Sequence, residues 1–239
     1  MKSRYALSLV LAALCAVLAT GRPSAQEQQK PVVKIPDAGV PQIMTIEGTY
    51  IRAAYNNEGY VILGYKTANM SLNEEWMLLE MGTTVRNNVP AFTLKRDDVS
   101  LSLSEGAKLP LASVEDYRGA NLRGLENRAK VARDSINYFP PMASQPCRIG
   151  FFSDLSSPAQ SWDQVEVSEM RACSGRLFFK IPGGIKYGQY FLNVQFPQGI
   201  VRVPFRILTE DEEKMLEKNY KDIRKQVQAA FAPPKKKGS

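Results

Sequence analysis

The feature that most constrains the fold is an alternation of apolar and polar residues on both sides of a Pro-Gln-Gly turn at 197–199. The apolar positions are Tyr190, Leu192, Val194 and Phe196 before the turn, and Val201, Val203, Phe205 and Ile207 after it. A period of two places each set on one face of a strand, so the pattern predicts an antiparallel hairpin with one buried face. Pro204 has no N–H to donate to a neighbouring strand, which favours an edge position for the second arm.

Short strand-like stretches separated by Gly, Pro, Asn and Asp recur along most of the chain. Strands are predicted over 43–55, 60–69, 75–85, 91–95, 99–103, 108–112, 148–152, 164–170, 176–181, 187–196 and 200–208. Residues 56–59 form a predicted tight turn between the first two strands. The continuous apolar run from Trp76 to Leu79 is typical of a central strand that is buried on both faces.

Two segments have a helical period instead. In 121–137 the apolar stripe consists of Leu122, Leu125, Ala129, Ala132 and Ile136, and charged residues, Glu126 among them, are assigned to the solvent face. In 209–231 the stripe consists of Leu216, Tyr220, Ile223, Val227 and Ala230. Thr209 and Glu212 fit a capping box at the start of this second helix.

Ten or eleven short strands with Gly and Pro turns predict a mainly β protein. The pattern resembles an immunoglobulin-like antiparallel β-sandwich with a helical insertion near 121–137 and a C-terminal helix. The sandwich would span 42–208, which exceeds the ~100 residues of a simple immunoglobulin domain. Either the helix is inserted into one larger sandwich, which we favour, or two small β units flank it.

The N-terminal end of the chain indicates export. Residues 1–25 begin with Lys2 and Arg4 and continue with a short apolar run, which predicts a secretory signal peptide, and an uncleaved anchor is the alternative. Residues 26–41 are polar, carry three prolines and read as a linker. Residues 232–239 form a predicted basic flexible tail. We therefore expect a periplasmic or extracellular protein with no transmembrane segment after signal removal.

Composition argues against several kinds of chemistry. The chain has no histidine, which excludes imidazole bases and histidine-ligated metals. Without residues 1–25 it has 28 basic and 24 acidic residues, a net charge of +4, so nucleic acid is not an expected partner. No nucleophile elbow, P-loop or dinucleotide fingerprint occurs. Carboxylates cluster at Glu74–Glu75, at Asp97–Asp98 and at Asp163, Glu166 and Glu169. We expect neither a metal nor a cofactor.

Signal removal would leave two cysteines, Cys147 and Cys173. An exported protein with two cysteines allows one intramolecular pairing, so we predict a structural disulfide between them.

The remaining candidates are contact residues, and they support three hypotheses. The first is an exported non-catalytic protein for protein–protein interaction or envelope structure, with another envelope or secreted protein as partner and weak self-association through the C-terminal helix. That helix either packs back onto its own domain or pairs with another chain. The second is a carbohydrate or small-ligand binding module that uses the aromatic residues Trp162, Tyr55, Tyr60 and Tyr65. The third is a hydrolase that relies on carboxylates alone.

Overall fold

The computed structural model describes residues 43–132, 135–154 and 160–231. The predicted signal peptide, linker and basic tail lie outside these residues. Twelve strands occur in the described ranges: β1 Ile43–Gly48, β2 Ile51–Tyr55, β3 Gly59–Gly64, β4 Trp76–Val85, β5 Phe92–Lys95, β6 Val99–Ser102, β7 Lys108–Pro110, β8 Gln145–Arg148, β9 Gln164–Val167, β10 Arg171–Lys180, β11 Gly188–Gln195 and β12 Ile200–Ile207. The same ranges contain four α-helices, α1 Lys66–Asn69, α2 Val114–Gly119, α3 Arg123–Val131 and α4 Glu210–Phe231, and a short 3-10 helix at Arg96–Asp98.

The strands form three sheets. One has six strands in the order β1-β2-β3-β4-β10-β8, one has four in the order β12-β11-β6-β7, and β5 pairs with β9. Neighbouring strands are antiparallel except for β8 and β10, which run parallel. The prediction of a mainly β protein with antiparallel sheets and a C-terminal helix is confirmed.

Aromatic side chains join the two larger sheets. Phe205 on β12 contacts the ring of Tyr65, which follows β3, with 5.2 Å between the ring centroids. Phe196, after β11, lies so close to β3 that a Cβ on Gly59 would be 2.1 Å from its Cε1 atom. Only glycine fits at position 59 for this reason. The core therefore lies between β2–β3 and the β11–β12 hairpin.

The strongest local signals in the sequence are the ones that the structure reproduces. β11 and β12 pair in antiparallel register, and the Phe196 N–H donates to the Gly199 oxygen across the turn. All eight apolar residues of the predicted hairpin face are buried. β4, which contains the apolar run from Trp76, lies between β3 and β10 and is buried along almost its whole length.

Several predicted strand boundaries are wrong, and the strand predicted over 176–181 begins five residues earlier, at Arg171. The strand predicted over 43–55 is two strands, because the chain turns at Thr49–Tyr50, directly after Gly48. The strand predicted over 60–69 ends at Gly64, and α1 follows. The strand predicted over 148–152 lies at 145–148 instead, where Pro146 weakens the strand signal.

The predicted helix at 121–137 is shorter than expected, and a second helix precedes it. α3 ends at Val131, so the stripe residue Ile136 lies beyond the helix, although it is still buried. α2 was missed, and its signal is Ser113, whose hydroxyl accepts the Asp116 N–H as an N-cap. Glu126, assigned to the solvent face by its charge, is buried.

The start of α4 follows the prediction in atomic detail. The Glu212 N–H donates to Thr209 Oγ1 at 3.3 Å, and the Thr209 N–H donates to Glu212 Oε2 at 3.0 Å. Arg206 also contacts Glu212 Oε1, at 2.8 Å. Burial acts to raise the pKa of Glu212, but the hydrogen bonds from Thr209 and Arg206 outweigh burial, and the pKa is lowered. The capping box is therefore confirmed.

Three of the outer strands, β1, β8 and β12, carry features that oppose pairing with another chain. α4 packs along β1, where the Tyr220 hydroxyl donates to the Ile46 oxygen. β8 carries Pro146 and β12 carries Pro204, and a proline has no N–H to offer to an added strand. A covering helix and an edge proline both hinder the addition of a further strand at a sheet edge.

The disulfide prediction is confirmed. Cys147 on β8 and Cys173 on β10 face each other in register and are bonded, with 4.1 Å between their Cα atoms. This distance is slightly below the ~4.4–6.8 Å common for disulfides. The bond ties the outermost strand of the six-stranded sheet to its only neighbour in that sheet.

Replacing both cysteines with serine is expected to lower the free energy of unfolding by about 3 kcal/mol, because the bond closes a loop between residues 26 apart in the sequence. Urea titration of the oxidised wild type and the double variant measures the difference. Reductant should lower the denaturation midpoint of the wild type and leave that of the double variant unchanged. Two free thiols in the denatured, unreduced mature protein would contradict the prediction.

Candidate functional site

Trp162 is a large aromatic side chain on the surface, and 61% of it is exposed. The main-chain N–H of Trp162 donates to the Gly150 oxygen at 2.7 Å, which fixes the main chain at this position. A Cβ on Gly150 would lie 2.9 Å from indole Cδ1, so the glycine leaves room for the edge of the indole. Trp162 is therefore held at one edge while most of its surface faces solvent.

The three predicted tyrosine contacts have two different environments. Tyr55 and Tyr60 are half-buried neighbours on β2 and β3, with 4.8 Å between their ring centroids. The Arg86 guanidinium lies over both rings, at 5.8 and 5.9 Å. Tyr65 is buried in the core, and its hydroxyl donates to the Thr49 oxygen. Tyr65 is thus placed as a packing residue.

The apolar stripe of α4 faces β1 of its own domain. Leu216 and Val227 are buried, Tyr220 and Ile223 are half-buried, and Ala230 is exposed. A salt bridge of 2.7 Å between Arg224 and Glu47 joins the helix to β1. The sequence allowed α4 either to pack onto its own domain or to pair with another chain. In the structure α4 packs onto its own domain.

The carboxylate clusters noted in the sequence have local partners. Glu74 pairs with Arg128, Glu166 lies 3.8 Å from Arg171, and Asp98 accepts the N–H of Lys95. Each of these contacts is an ordinary structural role for a surface carboxylate.

The most structured polar site is a cavity of about 350 Å³, enclosed by α2, α3, β4, β8, β10 and the segment after β8. We call it the polar cavity. The charged and hydroxyl-bearing residues that line it include three acids, three bases, two serines and a tyrosine: Glu80, Glu126, Asp154, Lys130, Arg148, Arg176, Ser153, Ser174 and Tyr117. Glu80, Tyr117 and Glu126 are buried, whereas Lys130 and Arg148 are exposed. The cavity therefore has a floor with two buried carboxylates and a rim with two exposed cations, and the half-buried Asp154 also lines it.

The Tyr117 hydroxyl lies at the floor of the polar cavity, between two hydrogen-bond acceptors. The Tyr117 oxygen is 2.6 Å from the Ser153 oxygen and 2.7 Å from Glu126 Oε1. Burial, and next the hydrogen bond to Glu126, raise the pKa of Tyr117, so the hydroxyl keeps its proton. That proton can be donated to only one of the two acceptors at a time.

Aromatic rings form the apolar wall of the cavity. Tyr117, Phe152 and Phe178 all line it, and their ring centroids are 4.7–5.1 Å apart. On the same side, Glu80 Oε1 lies 4.0 Å from Arg176 Nε, which gives that buried carboxylate a cationic partner. The wall is rigid because the three rings pack on each other.

Sequence analysis did not find this cavity, although two of its residues carry a visible signal. Glu80 interrupts the apolar run of β4, and a charge inside a buried strand indicates a special role. Glu126 lies four residues after Leu122 and three before Ala129, which places it on the apolar stripe of α3. Helical geometry, applied without regard to charge, would have predicted its burial.

Neither a metal-binding cluster nor a membrane-spanning helix is found among the described residues. No group of three or more His, Cys, Asp or Glu side chains there is arranged to hold a metal ion. No helix in residues 43–231 that the structure describes has the length and apolarity to cross a membrane. No protein-family model, curated protein or solved structure matches the chain.

Proposed function

We propose that this chain is an exported, non-catalytic protein of the cell envelope or extracellular space that works by binding another protein. The observation that carries the proposal is Trp162, a mostly exposed indole held in place at one edge. Tryptophan is enriched among the residues that dominate binding energy at protein interfaces. Its main-chain anchor reduces the entropy that binding would cost.

In this proposal the domain is a rigid scaffold of the immunoglobulin-like sandwich type, spanning residues 42–208. The contact of Phe205 with Tyr65 between the two larger sheets supports this architecture. Sandwich domains present loops at their ends, and Trp162 precedes β9 in such a loop. Tyr65 is buried, so it would contact neither a protein partner nor a sugar.

Export is part of the same proposal. The charged start and apolar run of residues 1–25 support a cleaved signal peptide, and residues 26–41 would separate the domain from it. The Cys147–Cys173 disulfide is compatible with an oxidising compartment such as the periplasm.

Photocrosslinking tests the interaction. A photoreactive amino acid that replaces Trp162 is expected to give a covalent adduct with one discrete protein when cells of the native source are irradiated. The same amino acid at Tyr187, which is 51% exposed, serves as the matched control. Mass spectrometry of the adduct identifies the partner.

The proposal fails if position 162 gives no protein adduct, or if positions 162 and 187 give the same set of adducts. In addition, Trp162→Ala should abolish co-purification of the crosslinked partner and leave the melting temperature nearly unchanged, because most of the indole is exposed. A large loss of stability would show that Trp162 is a packing residue.

A further inference from the structure

The polar cavity offers a second binding site, independent of Trp162. Its volume of about 350 Å³ lies at the small end of the roughly 300–1,000 Å³ typical of ligand pockets. A rigid aromatic wall with a few converging polar groups is also typical of such pockets. The question is which chemical class of ligand the groups of the cavity would satisfy.

The acceptors at the floor of the cavity would be satisfied by a ligand that donates a hydrogen bond. Ser153 O and Glu126 Oε1 both lie within hydrogen-bond distance of Tyr117, which has one hydroxyl hydrogen to share between them. When Tyr117 donates to Ser153, the Glu126 carboxylate no longer receives the hydrogen bond from Tyr117. Glu126 is only 4% exposed, so few water molecules can replace that donor. A buried acceptor without a donor is costly. An ammonium group in the cavity would supply both a hydrogen bond and a positive charge.

Two cations lie at the rim of the cavity, which is also lined by the half-buried carboxylate of Asp154. Lys130 at the end of α3 and Arg148 at the end of β8 line the same cavity and are exposed. These two cations would repel a ligand that carries only positive charge. A carboxylate on the ligand would instead pair with them, and arginine binds carboxylates well because its guanidinium can form two parallel hydrogen bonds.

We propose that the polar cavity binds a small zwitterion of the amino-acid class, with its ammonium group on Glu126 and its carboxylate on Lys130 and Arg148. The carbon skeleton would lie against Tyr117, Phe152 and Phe178. Glu80 keeps Arg176 as its partner and shapes the floor.

Calorimetric titration of the purified exported protein tests this proposal. The probes are the proteinogenic amino acids, taken one at a time, together with matched primary amines that lack the carboxylate and matched carboxylic acids that lack the amine. We expect saturable binding of at least one amino acid, and binding of its two single-charge analogues at least about tenfold weaker.

Two charge-removing variants localise the binding. Glu126→Gln and Lys130→Gln should each weaken the affinity for that amino acid about tenfold or more. The matched controls are Glu115→Gln, an exposed acid on α2, and Arg123→Gln, an exposed base on α3 that does not line the cavity. Both controls should bind like the wild type. Lys130 is exposed, so its replacement tests the site even if Glu126→Gln fails to fold.

Three results would each overturn the proposal. In the first, no amino acid binds at millimolar concentration. In the second, an amine without a carboxylate binds as tightly as the zwitterion. In the third, Lys130→Gln binds like the wild type. None of these results depends on Trp162, and loss of crosslinking at position 162 would leave the cavity proposal intact.

Discussion

Replacing Phe205 with alanine is expected to lower the free energy of unfolding by about 3–5 kcal/mol. Phe205 on β12 is 2% exposed, and its ring contacts Tyr65 at 5.2 Å and Tyr190 at 5.6 Å between centroids. Truncation would leave a cavity between the hairpin and the six-stranded sheet, and the neighbouring rings are too constrained by their own contacts to fill it. Urea titration followed by tryptophan fluorescence measures the loss.

The matched control lies on the same strand. Ile200 begins β12 and is 50% exposed, so Ile200→Ala removes an apolar side chain without opening a buried cavity. We expect it to cost less than about 1 kcal/mol. If both substitutions lowered the free energy of unfolding by the same amount, the burial of Phe205 in this structure would be contradicted.

The success of the sequence analysis at this hairpin has a local cause. Its alternation, its turn and its edge proline all lie within 18 residues, and each acts through the geometry of the chain near it. The buried run of β4 and the capping box of α4 were predictable for the same reason. The disulfide followed from chemistry, because two cysteines allow one pairing.

The polar cavity could not be predicted in this way. Glu80 and Arg176 are almost a hundred residues apart, and they meet only because β4 pairs with β10. Tyr117 reaches Ser153 because α2 packs near the segment after β8. No local sequence pattern predicts contacts between residues so far apart in the chain. The signal at Glu126 was available, but assigning charged residues to solvent concealed it.

Deleting residues 209–239 is expected to lower the free energy of unfolding by about 3–6 kcal/mol, because it exposes the surface that Leu216 and Val227 bury, at about 1.5–3 kcal/mol for each side chain. The measured quantity is the urea midpoint of the truncated protein, or its solubility if it does not fold. Deleting only residues 232–239 is the control for truncation itself, and we expect that shorter chain to unfold like the full protein.

Several contacts beyond the two aliphatic residues support a large effect. Tyr220 donates to Ile46, and Arg224 pairs with Glu47, so α4 covers the outer strand of the six-stranded sheet. Tyr50, in the turn between β1 and β2, is buried, and burial together with a hydrogen bond to the Glu213 carboxylate on α4 raises the pKa of Tyr50. Its removal would leave the β1 edge open to pairing with other chains.

A pair of adjacent substitutions separates packing from any role of the helix in binding. Leu216→Ala should cost about 2–5 kcal/mol because Leu216 is buried against the domain, whereas Met215→Ala should have little effect because Met215 is 46% exposed. If the truncated protein and Leu216→Ala both kept the stability of the wild type but lost a dimer or a partner, α4 would be an interaction element that leaves its own domain. If both are destabilised, α4 belongs to the folded domain, and a partner has to be sought on other surfaces, with Trp162 as the first candidate.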